Sequence, residues 1–180
     1  MNIELEILTF EDIELVRDWR NSLEVAQYMY TETEISAENQ LKWFENISLD
    51  NSSVYWIIKY DGKKLGLASL TGINLNLGSC YWAFYLGNDI PRGSGVGSKI
   101  EFSVLEYVFN DLKLNKLRCE VMIFNDKVIS MHEKFGFRRE AYYRQHVKKN
   151  GKWIDVVGLA ILKDEWAKLK SGMQEIIFRN

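Results

Sequence analysis

The stretch Arg92-Gly93-Ser94-Gly95-Val96-Gly97 constrains this chain more than any other. It follows a strand-like run at residues 80–86 and opens a helix-like run at residues 96–112. A glycine-rich turn between a strand and a helix N-terminus builds an anion site. Missing side chains let a phosphate reach the backbone, the free N–H groups of the first helical turn point at it, and the helix dipole favours its charge. Arg92 adds a fixed positive charge at the rim. The first expectation is therefore a protein that grips a pyrophosphate.

Elimination narrows the kind of pyrophosphate. No Gly-x4-Gly-Lys-Ser/Thr string of a Walker loop is present. The dinucleotide fingerprint Gly-x-Gly-x-x-Gly is met by Gly93 and Gly95 but fails at Ser98, and Glu120 lies further on than the roughly 20 residues its ribose contact needs. A second motif lies downstream. After the strand-like residues 116–124 come Asn125 and then His132-Glu133-Lys134-Phe135-Gly136-Phe137. Arg-x-x-Gly-x-Gly followed by Asn, a short helix and Tyr-Glu-Lys-x-Gly-Phe resembles the GCN5-related N-acetyltransferases (GNAT). The chain matches at Asn125, Glu133, Lys134, Gly136 and Phe137 and departs where His132 replaces the family's common Tyr.

The resemblance implies an α/β (α+β) fold, a single N-acetyltransferase domain over residues 1–180 with a core to about 169 and a tail at 170–180. It implies a mixed central sheet of about seven strands flanked by helices, with a splayed pair holding coenzyme A, here the strands ending near Leu86 and Phe124. It assigns acetyl-CoA to Tyr85, Leu86, Arg92, Gly93, Ser94, Gly95, Val96, Gly97, Ser98, Asn125, Ser130 and Lys134. Unpaired backbone groups of a splay suit the amides of a pantetheine arm.

Element signals agree with a mixed fold. Residues 3–7 alternate as a strand, and Thr9 is placed to cap a helix whose Ile13, Val16 and Trp19 recur at helical spacing. A second helix is expected at 36–46. Asp61-Gly62 and Asn150-Gly151 read as hairpin turns, and residues 163–169 as a short closing helix. Consecutive hairpins argue against repeated β-α-β units.

Composition excludes several classes. A net charge of −2 offers no broad basic field for nucleic acid or an anionic membrane. No apolar run reaches the roughly 20 residues of a membrane span, and the N-terminus has no signal-peptide pattern, so a cytoplasmic protein is expected. Cys80 and Cys119 are too few for a disulfide framework or a zinc site and are expected to be buried apolar residues, and no metal is expected.

Acetyl transfer to an amine needs a base, oxyanion stabilisation and accommodation of the thiolate. The resemblance puts His132 forward as the acid, the alternative being a helix histidine that packs or caps. No carboxylate precedes the phosphate turn, so Glu120 is the candidate base through a water, the alternative being an ion pair with Arg118 or a lysine. Tyr81 and Tyr85 share one side of a strand and are candidates to hydrogen-bond the acceptor, or else core aromatics with polar tips. His146 reads as surface or structural.

Residues 19–30, with the ending from His146 to Trp166, resemble one branch of the family, the N-acetyltransferases of pseudaminic acid biosynthesis in flagellin glycosylation. That resemblance implies acetylation of the 4-amino group of a UDP-linked 4-amino-4,6-dideoxy-N-acetyl-β-L-altrosamine. Arg20 can pair with a phosphate, Tyr30, Trp43 and Tyr81 can stack on a ring, and Asn21, Met29, Gln40, Ser69 and Thr71 complete the candidate acceptor site. Arg20-Asn21 can equally finish a helix, and Thr71-Gly72 can turn a loop. The other enzyme reading is a ribosomal-protein N-terminal or polyamine acetyltransferase, for which Glu32 and Glu34 are available. A reading from another class is a non-catalytic acyl-CoA sensor. Pairing of one of the last two strands between subunits would give a homodimer.

Overall fold

The structure, a computed structural model, describes residues 3–87 and 94–179. Arg92 and Gly93 lie outside the described residues. The elements are β1 (Ile3–Ile7), α1 (Ile13–Asn21), α2 (Leu23–Ala26), α3 (Ala37–Leu49), β2 (Val54–Tyr60), β3 (Lys63–Asn74), β4 (Ser79–Leu86), α4 (Val96–Glu106), β5 (Lys116–Met122), α5 (Asp126–Lys134), β6 (Arg138–Lys149), β7 (Lys152–Leu162) and α6 (Lys163–Ile177). The seven strands hydrogen-bond in the order β1-β2-β3-β4-β5-β7-β6. β4 and β5 run parallel, whereas β1–β2, β2–β3, β5–β7 and β6–β7 are antiparallel. This is the mixed α/β architecture expected from the sequence.

Two compact units divide the chain, Met1–Gly72 with Trp82–Ser94 and Ile73–Tyr81 with Gly95–Asn180. In the first, a 3-10 turn at Phe10–Asp12 leads into α1. The buried stripe Ile13, Val16 and Trp19 is the one its spacing predicts. Leu8, Val16, Trp19, Ile57 and Leu67 form a core against which Trp43, Phe44, Tyr55 and Tyr85 pack. The β2–β3 hairpin turns at Asp61 (φ 47°) and Gly62 (φ 79°), the left-handed pair an Asp-Gly signal promises. Gly66 is required by a close approach, since a Cβ there would sit 2.1 Å from the carbonyl oxygen of Tyr85.

In the second unit, α4 buries Val96, Ile100, Glu101, Phe102, Val104 and Leu105. It then widens into a π turn over Tyr107–Asp111 instead of continuing as a regular helix to Leu112. The bond from Leu112 N–H to the Tyr107 carbonyl spans five residues. α6 runs to Ile177, well past residue 169, so much of the expected tail is helix. Tertiary anchors explain the extension. Trp166 is buried against Phe102 and Phe135 and donates to Glu106 (2.8 Å), Lys170 pairs with Glu106, and Phe178 meets Phe102 edge-on. α2 is the other element the sequence reading did not anticipate. It is one turn long, and Ser22 caps it through an acceptor bond from Val25 N–H.

The ladder between β4 and β5 runs over three described pairs, Ser79↔Lys116, Cys80↔Leu117 and Tyr81↔Arg118, although the strands hold eight and seven residues.

Candidate active site

The phosphate end of the site is α4 and the turn before it. Gly95 is left-handed (φ 66°), a Cβ there would meet nothing within 4 Å, and it stands at the N-cap with no side-chain cap bond. The first turn of α4 carries no acidic residue. An uncapped, non-acidic helix start beside an open glycine is what a diphosphate requires, so the residues present fit coenzyme A. Val96 is buried, Ser94, Gly97 and Ser98 are half-buried, and Gly95 is exposed. Gly97 lets α5 come close, because a Cβ on it would lie 3.1 Å from Met131 Sδ. Asn125 caps α5 by its backbone, its carbonyl accepting from Val128 and Ile129 N–H (3.1 Å each), and makes no side-chain cap bond. Ser130 and Lys134 are exposed on α5.

One turn beyond Gly97, α4 brings Glu101 to α5. Glu101 Oε1 lies 2.7 Å from His132 Nδ1, with the two side chains 0% and 3% exposed. His132 also packs against the Phe137 ring at 5.2 Å between centroids. Glu101 Oε2 is buried without a partner. Burial pushes the Glu101 carboxyl above its ordinary range, while its bond to His132 pulls the other way. The sequence reading named His132 and missed Glu101. The available signal was an acidic residue at 101 within the otherwise uncharged stretch 100–105 of α4.

On β5 the alternation puts Lys116, Arg118 and Glu120 on one face. Arg118 lies over the Tyr81 ring at 4.0 Å, and its Nη2 donates to Ser79 Oγ at 3.4 Å. Its Nε is buried without a partner. Arg118, a candidate ion-pair partner of Glu120 by sequence, is also the cation beside Tyr81. Glu120 is exposed on β5. Cys80 and Cys119 are free and buried, and burial pushes the Cys80 thiol up to about 12 despite the charge of Arg118. His146 is exposed on β6 beside Tyr143.

The acceptor residues named from the sequence, apart from Tyr81, fall in the first unit. Arg20 Nη2 donates to Thr31 Oγ1 at 3.0 Å, while its Nε is buried without a partner. Tyr85 is packed into the core formed with Trp19 and Tyr55, its hydroxyl likewise unpartnered. Burial raises the Tyr85 hydroxyl pKa, and Arg20 is the nearby charge that opposes the rise. Burial raises the Tyr55 pKa too, with Asp50 adding to the rise and Arg20 again opposing it. Gln40 is buried with Nε2 unpartnered. Ser69 is buried, Thr71, Met29 and Leu86 are half-buried, and Tyr30 is exposed. Asn21 uses both ends of its side-chain amide within the chain. Its Nδ2 donates to the Ile35 carbonyl (3.0 Å) and its Oδ1 accepts from Ile35 N–H (2.8 Å), which ties the segment after α2 to the end of α1. Among the described residues no cluster of three or more His, Cys, Asp or Glu is arranged to hold a metal. No described helix is long and apolar enough to cross a membrane.

An uncapped glycine-led helix, an Asn-headed second helix and a parallel strand pair with a short ladder define an acyl-CoA transferase fold. Residues 2–138 match the acetyltransferase (GNAT) domain family, and the chain belongs to that family. It is an acetyl-CoA-dependent N-acetyltransferase. Among curated proteins it is similar to the acetyltransferase PseH of Campylobacter jejuni, with 28% identity over 130 residues covering 72% of this chain and 79% of that one. It is also similar to the spermidine N(1)-acetyltransferase of Vibrio cholerae, with 24% identity covering 92% and 97%. The solved spermidine N-acetyltransferase of Vibrio cholerae, in complex with CoA and spermine, superposes with a TM-score of 0.84 at 22% identity, covering 92% of this chain and 98% of that one.

Proposed function

We propose that this acetyltransferase works as one catalytic domain on the 4-amino group of a UDP-linked amino-dideoxy sugar, UDP-4-amino-4,6-dideoxy-β-L-AltNAc, in pseudaminic acid biosynthesis in the cytoplasm. The observation that carries the reading is the state of Arg20. A guanidinium with a buried, partnerless Nε, beside the unpartnered Tyr85 hydroxyl, is a donor set waiting for an acceptor-rich, anionic ligand. A polyamine is a cation and is repelled by such a group. The similarity to PseH and the resemblance of residues 19–30 support the same assignment.

In this reading Ser94, Gly95, Val96, Gly97 and Ser98 hold the diphosphate with their backbone, joined by Arg92 and Gly93. Asn125, Ser130, Lys134, Leu86 and the backbone of Tyr85 position the pantetheine arm, and the Tyr85 hydroxyl faces the acceptor. Acetyl-CoA supplies the acyl group as a thioester, which the amine attacks directly. Arg20, Gln40, Ser69, Thr71, Met29 and Tyr30 hold the sugar nucleotide, and Asn21 positions their segment. Tyr81 orients the acceptor, Glu120 removes the amine proton through a water, and His132 protonates the departing sulfur. β6, at the edge of the strand order, is the strand that would pair with a second copy.

A second reading, polyamine acetylation, is favoured by the likeness to spermidine acetyltransferases over 92% of the chain. Release of free thiol from acetyl-CoA, measured in parallel with the UDP-amino sugar, spermidine and an amino-terminal peptide, separates them. Turnover with the sugar nucleotide, and a rise of about 10- to 100-fold in its KM in Arg20→Ala, supports the proposal. Turnover with spermidine alone defeats it.

A further inference from the structure

Glu101 is out of place by every structural criterion. It sits among Ile100, Phe102, Val104 and Leu105 on α4, fully buried, with one carboxylate oxygen on His132 and the other on nothing. A half-satisfied buried carboxylate is less favourable than an apolar side chain of similar size, so packing alone does not account for it. Its single partner is the side chain at the family's tyrosine position. Nδ1 is taken by Glu101, which makes Nε2 the only ring nitrogen outside this bond.

We infer that Glu101 is the positioning residue for His132: it fixes the imidazole through Nδ1 so that Nε2 is the atom that delivers the proton in acetyl transfer. The inference rests on the proposed role of His132. The ready pair holds two protons, one on the line between Oε1 and Nδ1 and one on Nε2. As the C–N bond forms and the C–S bond breaks, His132 gives the Nε2 proton to the departing sulfur and the shared proton stays in place. The proton lost by the acetylated amine, passed through solvent, restores Nε2–H. This balance holds whichever atom formally carries the shared proton. The same logic, a carboxylate fixing the working nitrogen of a histidine, recurs in hydrolase triads.

The experiment uses the full chain and four variants, Glu101→Gln, His132→Phe, His132→Tyr and the double variant Glu101→Gln with His132→Tyr. Calorimetry with coenzyme A first shows whether each protein binds it. Glu101→Gln is expected to bind coenzyme A as the parent does, keep its acceptor KM within about 2-fold and lose about 10- to 100-fold in kcat. In the His132→Tyr background, where no Nδ1 exists, the same change is expected to alter kcat less than about 2-fold, since the pairing it removes is already gone. Nitrogen NMR of the unliganded protein is expected to show His132 held with a proton on Nδ1 in the parent and a changed Nδ1 signal in Glu101→Gln. Equal losses in both backgrounds, or an unchanged His132 signal, overturn the positioning role. A fully active His132→Phe that still binds coenzyme A overturns it together with the acid role while leaving the acetyltransferase assignment standing. Failure of the parent chain to bind coenzyme A removes the proposed function itself.

Discussion

Among the described residues two carboxylates are buried, Asp12 in one compact unit and Glu101 in the other, and their surroundings are opposite. Asp12 Oδ2 accepts from both the N–H and the hydroxyl of Thr9 at 2.9 Å, and its Oδ1 accepts from Lys64 Nζ at 2.6 Å. Burial pushes its carboxyl up, but the bonds from Lys64 and Thr9 outweigh burial and bring it below the usual range. Glu101 has one partner and one empty oxygen, and there burial wins. A carboxylate whose every oxygen is answered by a donor fastens a helix to a hairpin. One left half-answered beside a histidine is kept at a cost to stability, and function is the reason to keep it.

The largest effect expected from this contrast comes from replacing the second pair by apolar groups. Glu101→Leu with His132→Phe should abolish most turnover, by about 10²- to 10⁴-fold, because the proton donor is gone. The same change should leave the chain as stable as before or up to about 3 kcal/mol more stable, because no buried polar group is left unpaired. Urea unfolding alongside thiol-release kinetics reads both. A large loss of stability would make Glu101 a structural carboxylate like Asp12 and erase the contrast.

Asp12→Ala should do the reverse. It removes the Thr9 contacts and the Lys64 bond, at about 1–2 kcal/mol, with the ion-pair share kept small because the Lys64 side chain is 39% exposed. That corresponds to a fall of about 2–8 °C in Tm with kcat unchanged. The pH dependence carries opposite signs at the two sites. The Asp12 contribution is present above its unfolded value of 3.8 and is lost as pH falls through its lower folded value. Glu101 binds its proton more tightly in the folded state. Its cost is therefore absent below its unfolded value of 4.5 and grows as pH rises toward the folded one. Stability measured from pH 3 to 7 should show a shallower acid-side fall in Asp12→Ala, and in Glu101→Gln should gain relative to the parent as pH rises. Parallel curves for both variants would refute the assignment of directions.

The contrast also explains what the sequence could and could not disclose. The turn at Gly95, the Asn125 helix and the two hairpins are local patterns of glycine, asparagine and alternation, and they fold where their spacing puts them. Thr9 reads as a cap because its partner Asp12 is three residues away. Glu101 and His132 are 31 residues apart and meet from two different helices, α4 and α5. Nothing within either helix announces that meeting. The exposure of Glu120 and the binding of Asn21 to Ile35 likewise depend on how the strand is covered and where a loop returns. The length of α6 was hidden for the same reason, since Trp166 and Lys170 find their anchor at Glu106, about 60 residues upstream.

A smaller effect tests whether an unanswered buried polar atom marks function elsewhere in the chain. The Tyr85 hydroxyl is buried, unpartnered and lies near Arg20. If it were merely trapped in the core, Tyr85→Phe would change neither binding nor catalysis and would leave stability the same or raise it by up to about 1 kcal/mol. If it belongs with Arg20 to the acceptor site, the variant should show the same neutral or slightly improved stability with a KM for the sugar nucleotide raised about 3- to 10-fold and affinity for coenzyme A retained. One neutral hydrogen bond is worth about 0.5–1.5 kcal/mol, which sets that range. An unchanged KM would separate Tyr85 from Glu101, making the first a tolerated orphan of packing and leaving the second as the chain's clearer mark of function.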